Sequence, residues 1–62
     1  MNVYLGQQAK DMVENETMPM NSMGVFKGEE EWVYWYWDEH TFDTGVAKSQ
    51  ELALKKAKAN RR

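Results

Sequence analysis

The chain has no cysteine, one proline, four glycines and one histidine in 62 residues, and its longest apolar run is the six residues Trp32–Trp37. Without cysteine there is no disulfide framework and no cysteine-based zinc module. Six apolar residues fall far short of the roughly 20 that a membrane helix needs, so no membrane association is expected. The first ten residues carry neither a basic start nor a long apolar stretch, which argues against a secretory signal and for a soluble, cytoplasmic protein. The shortage of proline and glycine leaves most positions free for regular structure.

What is present is a globular composition, 42% hydrophobic, 13% aromatic and 29% charged, and residues 1–62 are expected to form a single small domain. A chain this short buries only about 60% of the surface that its unfolded form exposes, so tight packing, an oligomer or a bound partner is expected to make up the difference. The net charge of −2 conceals a division. Nine acids face two bases through residue 43, whereas six bases face one acid from residue 44 onward. Such asymmetry steers association with charged partners, and here it points in two directions.

Four segments follow from the pattern of residues. Leu5, Ala9, Met12 and Val13 recur at helical spacing and predict an amphipathic N-terminal helix, ended before Pro19. Residues 24–28 predict a short strand between glycines. Residues 32–37 are all β-branched or aromatic, which predicts a strand with Trp32, Tyr34 and Tyr36 on one face and Val33, Trp35 and Trp37 on the other. A partner strand is expected over 41–47, with a turn or bulge at Asp43-Thr44-Gly45 or, alternatively, the turn at 38–41. Ser49 then caps a C-terminal helix whose apolar stripe is expected to be Leu52, Ala53 and Ala57, with the stem of Lys56. The fold class is therefore α+β: an N-terminal helix, a two- or three-stranded antiparallel sheet, and a C-terminal helix packed on that sheet.

The aromatic strand carries more bulk than one face of a small sheet must bury. Its plain structural use is core on both rows, one under each helix. Its functional use is a protein interface, including self-association, because Trp and Tyr supply large contact areas with a polar handle. On that reading the interface comprises Trp32, Tyr34, Trp35, Tyr36 and Trp37 with the acidic run Glu29, Glu30 and Glu31. The acids would either meet a basic partner or, more simply, keep the sheet ends solvated and unpaired.

Stacking on nucleic acid needs positive charge beside the platform, and this strand is flanked by acids. A nucleic-acid site would instead use the basic C-terminal helix and tail: Lys55, Lys56, Lys58, Arg61 and Arg62. The segment WVYWYWDEHTFDTGVAKSQELALKKA, an aromatic strand followed by a turn, a short strand and a Ser-started helix, resembles the sheet-plus-helix module of the arm-binding domains of phage-type integrases. The resemblance covers about half the chain, implies a sheet that enters a DNA groove, and departs in placing acids where such a sheet carries Arg and Lys. It supports the architecture, and no functional residue is carried across.

Other constellations favour their structural readings. His40 with Asp38, Glu39 and Asp43 offers mixed ligands, yet one imidazole and no second ligand cluster do not make a zinc site. A Ser-His-Asp set can be assembled from Ser22 or Ser49 only by free choice of residues, with no nucleophile motif. Met18, Met20 and Met23 could hold Cu(I), but flexible methionines more often fill gaps. No metal, cofactor or catalytic activity is expected. The expected function is that of a small accessory or inhibitory protein, of phage or mobile-element type, that binds another protein and forms a homodimer; the alternative is nucleic-acid binding through the last helix.

Overall fold

The computed structural model describes residues 2–59. Six elements follow in order: β1 (Asn2–Leu5), α1 (Gln7–Glu14), β2 (Ser22–Lys27), β3 (Trp32–Trp37), β4 (Phe42–Ala47) and α2 (Gln50–Ala59). The strands form one sheet in the order β1-β2-β3-β4. β1 runs parallel to β2, and the other two pairings are antiparallel. The α+β class holds, but the sheet has four strands and is mixed, where two or three antiparallel strands were expected.

The additional strand is β1, and its parallel pairing requires a crossover, which α1 supplies. Leu5, expected at the head of the helix, belongs to β1 instead. The chain breaks at Gly6, whose φ of 69° suits a residue without Cβ, and the Gly6 amide donates to the Val25 carbonyl at 2.8 Å. The helix then ends through left-handed Glu16, with the Thr17 amide donating to the Met12 carbonyl at 2.9 Å. That pattern is a Schellman closure. Residues 22–27 form a longer β2 than the segment 24–28 foreseen, beginning at fully buried Ser22, which donates to the Pro19 carbonyl at 2.5 Å.

β3 occupies its expected span, and it lies centrally between β2 and β4. Its hairpin to β4 turns at 38–41, the second of the two turns foreseen, while Asp43, Thr44 and Gly45 lie inside β4 rather than at a turn or bulge. Asp38 closes the turn by accepting from the amides of His40 and Thr41 at 2.8 and 2.7 Å.

The two aromatic rows go to opposite helices. Tyr34 and Tyr36 join Met23, Val25, Ala47, Ala53 and Ala57 in a core under α2, with Trp32 and Leu54 at its margin. Trp35 faces α1, and its indole donates to the Ala9 carbonyl at 3.0 Å. Two glycines make room for these rings. A Cβ at Gly24 would run into the Trp35 indole, and one at Gly45 would fall 2.5 Å from the Tyr34 hydroxyl. Trp35 also stacks on Tyr4, with centroids 6.5 Å apart. Truncating a fully buried tryptophan costs about 3–5 kcal/mol, so this ring is a principal anchor of α1 on the sheet.

α2 begins where Ser49 was expected to cap it, the Leu52 amide donating to Ser49 Oγ at 3.2 Å. Its buried residues are Ala53 and Ala57, whereas Leu52 is 45% exposed, so the packed stripe is rotated from the one foreseen. Small side chains let the helix lie close against the large rings of Tyr34 and Tyr36.

Candidate functional site

The helices cover different halves of the sheet. α1 lies over β1 and β2, while α2 lies over β2, β3 and β4 on the other face. The β3–β4 half of the α1 face is therefore left without a helix. Cross-strand partners share a face, so the pairs Trp37↔Phe42, Trp35↔Thr44 and Val33↔Val46 place six side chains there. Trp35 is buried beneath α1, but Phe42 and Val46 are 51% and 48% exposed. Trp37 and Val33 are half-buried beside them, and Trp37 meets Phe42 edge to face at 6.1 Å. The result is an apolar shelf on β4, a strand with a neighbour on one side only.

Acids stand at both ends of this shelf. At one end Glu16, Met18, Trp37 and Phe42 line a shallow apolar pocket. At the other, Glu29, Glu30 and Glu31 with Gly28 surround a depression floored by Val33 and Val46. The hairpin adds Asp38 and Glu39 at the first end. The Asp38 carboxylate accepts from the Tyr36 hydroxyl at 2.7 Å and from the His40 amide, and these bonds lower its pKa from the ordinary carboxylate value. The Glu29–Glu31 end also carries bases, Lys27 and Lys48. Lys27 lies over the Trp32 ring at 5.4 Å, on the α2 face of the sheet.

The residues read from sequence as an interface are thus separated by the fold. Tyr34, Trp35 and Tyr36 are buried within the chain, Trp32 is half-buried at the margin of the α2 core, and Trp37 alone of the five lies on the open shelf. Glu29, Glu30 and Glu31 are exposed at its rim. Phe42 and Val46, the most exposed apolar residues of the shelf, were not singled out in the sequence. The alternation Phe42, Thr44, Val46 against Asp43 and Gly45 carries that signal, but an expected turn at 43–45 hides it.

Lys55, Lys56 and Lys58 are exposed on α2, with Lys56 donating to the Val46 carbonyl at 3.1 Å. Arg61 and Arg62 lie outside the described residues. The remaining candidates do not assemble. Met23 is core, Met20 is 50% exposed and Met18 lines the Trp37 pocket, so the three sulfurs go to different surroundings. His40 is exposed, 4.0 Å from Glu39. Among the described residues no group of three or more His, Asp or Glu is placed to hold a metal ion, and no helix is long and apolar enough to cross a membrane. Comparison with protein-family models, with curated proteins and with solved structures finds no match to this chain.

Proposed function

We propose that this protein works by binding and modulating another protein through the open shelf of β3 and β4. The observation that carries the reading is the pair Phe42 and Val46, half exposed on an edge strand and continuous with Trp37 and Val33. Apolar patches of this kind, rimmed by charge, mark interaction surfaces, and exposed aromatic side chains such as the Trp37–Phe42 pair at one end of the shelf are common in hot spots. The small size of the chain supports the same reading, because docking there removes apolar surface that neither α1 nor α2 covers.

The test is a double substitution, Phe42→Ser with Val46→Ser, followed by capture from the native host. Both side chains are half exposed, so the folded state should persist, as circular dichroism would report. A partner retained by the wild type and lost by the double variant is the expected result; equal capture by both proteins would remove the shelf from the function. The exposed lysines of α2 support a second reading, nucleic-acid binding. Replacing Lys55, Lys56, Lys58, Arg61 and Arg62 by Ala separates it, since only on that reading does binding to DNA or RNA at low salt depend on them.

A further inference from the structure

We infer that the occupant of the shelf is an extended, basic segment of a partner protein, laid beside β4 with alternate apolar side chains over Phe42 and Val46 and Lys or Arg at both ends. The inference rests on the docking reading above and gives the partner its chemistry. Two observations lead to it. The first is the form of the surface: β4 is a six-residue edge strand, about 20 Å long, and a strand added to such an edge gains main-chain hydrogen bonds while presenting every second side chain to one face. On that face Phe42 and Val46 stand four residues apart, so a matching segment offers apolar residues at alternate positions over about six residues.

The second observation is charge. The shelf is bounded by Glu16 with the Asp38-Glu39 turn at one end and by Glu29–31 at the other. A second copy of this chain fits poorly. A two-fold axis perpendicular to the sheet or across the strands brings each acidic end onto the other acidic end, and an axis along the strands brings each end onto itself. Every such arrangement sets acid against acid, offset at the Glu29–Glu31 end only by Lys48 and by Lys27, which lies over Trp32 on the other face, and like charges across an interface are disfavoured. A segment with basic ends meets attraction at both. From α2 the Lys56 ammonium donates to the Val46 carbonyl of this strand, and that contact is exposed, so an incoming donor can replace it.

Selection from a random twelve-residue peptide library against the full chain tests this directly. The expected pool is rich in Lys and Arg at its ends with alternating apolar residues between. The tightest peptide should lose at least about tenfold in affinity when Glu29, Glu30 and Glu31 are changed to Lys, and should weaken with salt. Replacing Lys55 and Lys58 on α2 by Ala should leave both the affinity and its salt dependence in place. An acidic or neutral pool, or a basic peptide indifferent to the three charge reversals, overturns the inference while leaving the shelf as a docking site. An empty selection accompanied by a dimer that Phe42→Ser and Val46→Ser disperse makes a second copy the occupant and overturns it as well. An empty selection from a monomer overturns both this inference and the docking reading.

Discussion

At the scale of single residues, Glu16 couples folding to the shelf. It occupies the left-handed position that closes α1, with φ of 56°, where glycine is the usual residue. A left-handed L-residue costs about 1–2 kcal/mol, while glycine would return about 0.5–1 kcal/mol of that as lost chain entropy. Glu16→Gly is therefore expected to stabilise the chain by up to about 1 kcal/mol in urea denaturation. The same substitution removes a carboxylate from the pocket of Met18, Trp37 and Phe42, so the affinity for a basic peptide is expected to fall. Opposite signs for stability and binding would place the cost of this residue on the side of function; a fall in both would make it structural. Gly24 and Gly45 are the contrary case. Each yields space to one ring, and neither reaches the shelf.

At the scale of elements, legibility in the sequence followed chemistry. β3 was readable because every residue in it prefers a pleated surface, and α2 because its cap and its charges agree. β1 was not readable: four residues are too few to show a period, and Leu5 falls in phase with the helix that follows. The parallel pairing of β1 with β2 depends on tertiary contacts that a local pattern does not encode. Gly45 looked like a turn residue, although its reason for being glycine is Tyr34 on the next strand. The shelf was half legible, through Trp37 and the acidic run, because exposure of Phe42 and Val46 depends on which half of the face α1 covers.

The β3–β4 hairpin has its own test. Asp38 accepts from the Tyr36 hydroxyl and from the amides of His40 and Thr41, and its pKa is lowered chiefly by the Tyr36 bond. A carboxyl depressed on folding contributes stability that is complete above its ordinary range and is lost as pH falls through the folded value. The wild type is thus expected to lose more stability than Asp38→Asn as pH falls below the ordinary carboxylate range, as paired denaturation curves would measure. Parallel curves would show that the turn is closed by geometry alone.

At the scale of the whole molecule, the division of charge and the division of cover act together. Each face of the sheet carries one helix, α2 faces solvent with its lysines, and six acids, Glu16, Glu29, Glu30, Glu31, Asp38 and Glu39, stand at the two ends of the uncovered half of the α1 face. A chain with so little surplus burial responds strongly to any ligand that binds only its folded form. At a peptide concentration a hundredfold above Kd the folded state gains about 2.7 kcal/mol. In a domain of this size that corresponds to a rise in Tm of roughly 10–20 °C. Thermal melts of the wild type with the selected basic peptide should show this rise, and melts of the Phe42→Ser, Val46→Ser variant at the same peptide concentration should not. A second copy on the shelf would instead raise Tm with protein concentration and without peptide. A Tm that responds to neither would mean that the chain closes its stability balance alone, through Trp35 under α1 and the two tyrosines under α2, and that the open half of the sheet is tolerated rather than used.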